Sequence, residues 1–275
     1  MIDKFSTIFD GLRLAYGTFK IEDRNSKGKA TGKAMIVREE RTEETWQAHL
    51  DGTQSVGIIP INENNMCRWG CIDIDEYNFD HTALINKLTN LKLPLVVCRS
   101  KSGGAHVFLF TTDFIPAKDM QEVLTRLSVG LGYGGSEIFP KQIALNLDRG
   151  DVGNFLNMPY FDHENSLRYA FKPDSTAATL EEFFDLVADN VQTREQALAL
   201  VVEQDSSLPC QDGPPCLQTL CKDGIGEGAR NNGLFNIGVY LRKAYPDTWE
   251  SEILTHNMQF IHPPLPLGEV NAVAK

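Results

Sequence analysis

Two short stretches carry residues whose types and spacing could do chemistry. In Cys71-Ile72-Asp73-Ile74-Asp75-Glu76-Tyr77, acids alternate with isoleucines. A strand has a side-chain period of two, so Asp73 and Asp75 fall on one face and Ile72 and Ile74 on the other. Two like charges in so small a volume ask for a compensating cation. Magnesium or manganese suits them, because the ligands are hard oxygens and such ions leave positions open for phosphate. The second stretch is Arg99-Ser100-Lys101-Ser102-Gly103-Gly104-Ala105-His106. Leu95–Cys98 reads as a buried strand leading in, Gly103-Gly104 as a tight turn, and His106–Phe110 as the strand leading out. The rim of this hairpin holds Arg99, Lys101, Ser102, Gly103, Gly104 and His106, and successive N–H groups of a glycine turn suit an anion. Together the two stretches outline a site for a metal-bound triphosphate.

A third stretch, Gly134-Gly135-Ser136-Glu137-Ile138-Phe139-Pro140-Lys141-Gln142, offers Glu137 as a further metal carboxylate, with Lys141 and Gln142 placed for phosphate or sugar oxygens. Each feature has a plainer alternative. The acid pair reads equally as a solvated strand end, Glu137 as an exposed acid on an edge strand, and His106 as a histidine bonded to backbone at the rim of the core. Asn154 and Asn157 read as loop braces.

The surrounding pattern must position these residues. A short helix followed by a strand is expected between Phe5 and Ile21, strands at Ala34–Val37 and Ser55–Pro60, and a helix over Glu43–Leu50. Leu84, Ile85, Leu88 and Leu91 repeat at helical spacing, which makes strand, helix and the Leu95–Cys98 strand one alternating unit. A second helix starts after Pro116 and runs to about Gly130. This is an α+β layer fold with helices packed on one face of a partly antiparallel sheet. Leu180–Val202 is mostly helical by period. The Pro-, Ser- and Gly-bearing run from Gln204 to Pro215 then divides a domain of residues 1–203 from a small helical module of 204–275. The chain ends shortly after Pro263-Pro264-Leu265-Pro266 with no evident terminal element, as a fragment of a longer protein would.

At 275 residues and 42% hydrophobic the chain can bury a substantial core. It has neither a membrane-spanning apolar run nor the pattern of a secretory signal, so the expectation is a cytoplasmic protein without membrane partners. Cys67, Cys71 and Cys98 lie around the acidic strand and Cys210, Cys216 and Cys221 near the later Pro-rich run. They form no disulfide framework, and the close Cys-x-x-Cys pairs of a zinc site are missing even with His256 and His262 nearby, so zinc is not expected. A net charge of −11 argues against a generic polyanion binder. Lys20, Arg24, Lys27, Lys29, Lys33 and Arg38 nevertheless form a local basic strip suited to single-stranded template, or equally a solvated loop.

Cys71-Ile-Asp-Ile-Asp75, Ser102-Gly-Gly-Ala-His106 and Ser136-Glu-Ile-Phe-Pro-Lys-Gln142, in this order, resemble the three motifs of the archaeo-eukaryotic primases, nearest in look to phage and mobile-element primase-polymerases. The resemblance implies a catalytic core with an RRM-like palm sheet and an N-terminal α/β module, followed by a small C-terminal helical domain. Asp73, Asp75 and Glu137 would bind two catalytic Mg²⁺ or Mn²⁺ ions. His106 and the turn from Ser102 to Gly104 would hold the incoming NTP or dNTP, with Arg99, Lys101, Lys141 and Gln142 at its phosphates. The implied activity is a DNA primase-polymerase that starts primers on single-stranded DNA and extends them, in a host bacterial cytoplasm if phage-encoded. Arg230, Arg242 and Lys243 would serve initiation, or the module would link to a replicative helicase. The chain departs from the pattern in having Gly104 where many relatives carry a small polar residue, and Glu137 where an Asp is frequent. The competing readings are a polymerase that extends but cannot initiate and a binding module for single-stranded nucleic acid or nucleotide. A metal-dependent glycosyltransferase would leave the Gly-Gly-x-His hairpin unexplained.

Overall fold

The computed structural model describes residues 1–24, 30–76, 78–202, 210 and 213–273, with backbone alone between 19 and 32. The chain forms two compact units, one of residues 1–125 and 136–200 and the other of 126–135 and 201–275.

In chain order the elements of the first unit are α1 (Ile2–Ile8), β1 (Tyr16–Arg24), β2 (Ala30–Val37), α2 (Glu43–Leu50), β3 (Val56–Ile58), β4 (Met66–Ile74), α3 (His81–Asn90), β5 (Val96–Arg99) and β6 (Ala105–Pro116). There follow α4 (Ala117–Gly130), whose last residues count with the second unit, then β7 (Glu137–Phe139), β8 (Leu156–Asn157), α5 (Leu180–Asn190) and α6 (Arg194–Ala199). The strands make two sheets, ordered β2-β1-β3-β8 and β5-β6-β4-β7, with antiparallel neighbours throughout.

In the second sheet β6 lies between β4 and β5. The expected strand–helix–strand unit is therefore a split crossover, and the sequence β4-α3-β5-β6-α4-β7 is the β-α-β-β-α-β arrangement of RRM and ferredoxin-like domains. Alternation along β4 explains how the sheet is covered. Trp69 and Cys71 join a core with Phe108, Phe110 and Phe139 of the same sheet, Val56 and Ile58 of the first sheet, Phe5 and Phe9 near α1, and Phe183 of α5. Gly70, on the other face, has no room for a side chain: a Cβ there would lie 2.6 Å from both Met120 and Leu124 of α4. Helix α4 thus covers one face as expected, while α3 buries Leu84, Ile85 and Leu88. The other face is not open but meets α1, α5 and the first sheet, because the aromatic positions of β4 and β6 need burial on that side too.

The stretch Leu180–Val202 is mostly helical as expected, in two helices. Thr179 with Glu182 and Thr193 with Gln196 form capping boxes that start α5 and α6 separately. Between them the Gln192 backbone bonds Phe110 and Thr112 of β6. That part of β6 extends beyond its pairing with β5, so its polar groups need another partner.

The second unit packs α7 (Pro215–Asp223), α8 (Arg230–Ala244), α9 (Trp249–Phe260) and α10 (Leu267–Val273) around Leu217, Leu234, Ile237, Leu241, Ile253 and Phe260. Helix α10 occupies the stretch where the sequence shows no evident element; Val270 is its buried anchor. Among the described residues no helix is long and apolar enough to cross a membrane.

Candidate active site

The register of the second sheet lines up four side chains. His106 of β6 is opposite Cys98 of β5 on one side and Asp73 of β4 on the other, and Asp73 is opposite Glu137 of β7. Directly opposed residues share a face, so Cys98, His106, Asp73 and Glu137 form one cross-strand row. It continues the face that carries Trp69 and Cys71 into the core, and it emerges from that core step by step. Cys98 is fully buried, His106 nearly so, Asp73 partly exposed and Glu137 exposed. Asp75, exposed just past the end of β4, lies on the same face by alternation.

Each acid has a partner from this chain. Asp73 Oδ1 is 3.3 Å from His106 Nε2. Asp75 Oδ1 accepts from the Ser102 hydroxyl at 2.8 Å. Glu137 Oε2 is 2.6 Å from Lys141 Nζ, whose amine lies 5.0 Å from the centre of the Phe139 ring. Among the described residues no three His, Cys, Asp or Glu side chains converge closely enough to share a metal ion. The backbone arrangement still suits one, because Asp73 and Glu137 face each other across a strand pair and Asp75 is two residues on. All three donors are hard oxygens of the kind magnesium and manganese take.

The glycine turn is held against the end of β4. Ser100 N–H donates to Gly104 O at 2.9 Å, and Gly103 N–H to Ser100 O at 3.2 Å. Gly103 has φ +99°, in the left-handed region that a side chain disfavours. Gly104 is required for a different reason, since a Cβ there would sit 2.0 Å from Ile74 O. Gly104 thus brings the turn onto the acidic strand. His81, which no sequence signal singled out, ties the same turn: its Nε2–H donates to Gly104 O at 3.0 Å, and its ring stacks on Phe171. An N1 histidine after the Asp80 N-cap has no spacing pattern that would reveal such a contact.

The other expected residues are placed as follows. Arg99, at the end of β5, donates to Leu167 O at 3.2 Å, and alternation starts its side chain on the face away from the row. Lys101 is exposed and engaged in an interaction of its own. Gln142 spends both ends of its amide on Asn154, donating to Oδ1 at 2.6 Å and accepting from the backbone N–H at 3.1 Å. Asn154 therefore braces the loop through Gln142. Lys33 is exposed on β2, while Lys27 and Lys29 lie outside the described residues. Arg230 begins α8 and donates to Pro263 O; Arg242 and Lys243 are in its last turn, Arg242 over the Trp249 ring. With a rise of about 1.5 Å per residue, Arg230 stands roughly 18 Å from the other two along the helix, so the three do not form one cluster. All six cysteines are free. Burial pushes the Cys67, Cys71 and Cys98 thiols well above their ordinary range, which leaves them inert. Cys210 and Cys221 touch at 3.4 Å between sulfurs, and Cys216 is exposed.

A split β-α-β sheet with an acid row emerging beside a glycine hairpin defines a palm-like α+β domain. Residues 20–200 match the model of the archaeo-eukaryotic primase domain of TOTE conflict systems, about two thirds of the chain, and the chain belongs to that family. A crystal structure of primase RepB' aligns over 99% of this chain and 84% of its own, at 13% identity and a TM-score of 0.33. No curated protein matches.

Proposed function

We propose that the chain is a template-directed nucleotidyltransferase that starts primers on single-stranded DNA and extends them with NTPs or dNTPs. The observation that carries this reading is the register of Asp73, Glu137 and His106 in one cross-strand row, with Asp75 next along the strand and the Ser102–Gly104 turn pressed against it. Asp73, Asp75 and Glu137 would hold two Mg²⁺ or Mn²⁺ ions, which would supply activation of the attacking 3′-hydroxyl and neutralisation of the leaving pyrophosphate.

The chain's own residues position the reactants. His106, held by Asp73 at the edge of the core, presents a fixed ring to the nucleotide. Ser102 and the turn amides supply donors to its phosphates. Lys101 and Lys141 offset their charge, while Arg99 and Gln142 act chiefly by bracing the 167 and 154 loops that flank the site. The helical unit, through Arg242 and Lys243 at one end of α8 and Arg230 at the other, assists initiation on the template.

The test is incubation with unprimed single-stranded DNA, labelled NTPs or dNTPs and Mg²⁺ or Mn²⁺, beside the Asp73→Ala/Asp75→Ala variant. Short products from the intact protein alone are expected. Products that require an annealed primer would make it an extending polymerase. Binding of DNA or nucleotide without any product would make it a binding module.

A further inference from the structure

The contact between Glu137 and Lys141 does more than neutralise an exposed acid. We propose that Lys141 competes with a divalent cation for Glu137, and that an incoming triphosphate relieves the competition by drawing Lys141 onto its own oxygens. The inference rests on the metal-triphosphate reading above and adds a coupling between the two ligands of that site.

Three observations carry it. First, the Lys141 backbone is clamped while its side chain is free to pivot. The Gln121 amide on α4 donates to both Pro140 O and Lys141 O at 3.0 Å, whereas the amine, among the described residues, meets the Glu137 carboxylate and the Phe139 ring. Second, the pair is weak enough to exchange. The Glu137 side chain is 61% exposed and that of Lys141 31%, and ion pairs so open to solvent are weakly held. A triphosphate offers several charged oxygens to the same flexible point charge. Third, while the pair is closed the Glu137 carboxylate is committed to Lys141, although its backbone is directly opposite Asp73. This accounts for three acids that share a site without converging. Nucleotide binding would release Glu137 toward Asp73, and by linkage a cation at Glu137 would release Lys141 toward the nucleotide by the same factor.

The experiment is a double-mutant cycle on binding, with no turnover involved. Manganese binding without nucleotide is measured by paramagnetic resonance or calorimetry, and ATP or dATP binding is measured in EDTA. Both are applied to the wild type, Lys141→Ala, Glu137→Gln and the double variant. Lys141→Ala is expected to tighten nucleotide-free manganese binding by about two- to fivefold, the range an exposed ion pair allows. Glu137→Gln is expected to tighten metal-free nucleotide binding by a similar factor, an effect that a purely metal-ligating Glu137 would not produce.

Each gain should vanish when the partner has already been replaced, because the two residues then no longer act on each other. Gains that persist in the absence of the partner would reflect plain removal of charge and would overturn the proposal, as would no gain at all. If Asp73→Ala/Asp75→Ala leaves manganese binding unchanged, the site reading itself fails and takes this inference with it.

Discussion

Gly104 shows how much a single residue position decides here. Its carbonyl accepts from Ser100 N–H and from His81, and its missing side chain lets the turn rest on Ile74 O. Ser102, two residues earlier, is thereby held where it reaches Asp75. A methyl group at Gly104 has no flexible neighbour to displace, since the nearest atom is backbone oxygen at 2.0 Å. Gly104→Ala is therefore expected to destabilise by about 1–3 kcal/mol through overpacking, and to lift Ser102 away from Asp75. At Gly103 an added Cβ meets only Arg99 Nη2 at 3.4 Å, and the cost is that of a positive φ, about 1–2 kcal/mol. Thermal melts and nucleotide affinity on both variants separate the two effects. Similar losses of stability are expected, with the larger loss of nucleotide affinity in Gly104→Ala. Wild-type affinity in that variant would show that the turn does not position the site.

At the scale of elements, Gly70 links helix packing to the acid row. A Cβ there would meet Met120 and Leu124 of α4 and would lie 2.7 Å from Phe139 O in β7, the strand that carries Glu137. Gly70→Ala must push either α4 outward or β7 sideways. The expected outcome is about 1–3 kcal/mol of lost stability together with weakened manganese binding, read by denaturant melts and metal titration on the same variant. Undiminished metal binding would show that β7 does not shift. Periodicity revealed α3 and α4, because each buries a regular stripe, and the Asp51-Gly52 stop marked the end of α2. Alternation revealed the faces of β4, because Ile72 and Ile74 are buried while Asp73 is partly exposed and Asp75 exposed. Pairing order was not legible, since whether β6 inserts between β4 and β5 depends on contacts distant in sequence. The division between α5 and α6 was legible in principle from Thr193-Arg-Glu-Gln196, a capping-box pattern outweighed by the apolar repeat around it. The acids, the glycine turn and His106 were legible because strand spacing is local. His81, which ties the turn through Gly104 O, was not, because nothing in its own neighbourhood marks a tertiary contact, whereas Asn154 was legible as a loop brace but its partner Gln142 was not.

For the molecule as a whole, stability at mildly acidic pH hangs on one buried imidazole. His49 of α2 is fully buried. Its Nδ1 accepts from Val56 N–H at 3.0 Å, and its Nε2–H donates to Pro159 O at 2.8 Å, so one neutral ring joins α2, β3 and the strand end after β8. Burial, with a smaller contribution from the charge of Arg168, pushes its pKa down to about 4 from an ordinary value near 6.5. The unfolded chain therefore binds the proton more readily than the folded one. Stability from this group is fully present above about pH 6.5 and is lost as pH falls toward 4. With about 1.4 kcal/mol per unit, the loss between about pH 7.5 and pH 5 is about 2 kcal/mol, a sizeable share of the roughly 5–15 kcal/mol that holds a domain together. Urea melts at the two pH values should show this drop in the wild type. In His49→Gln, which keeps a donor and an acceptor but cannot titrate in that range, the protein should be less stable at the higher pH and its stability should change less between the two. A full drop in that variant would mean that other groups set the acid limit of the fold.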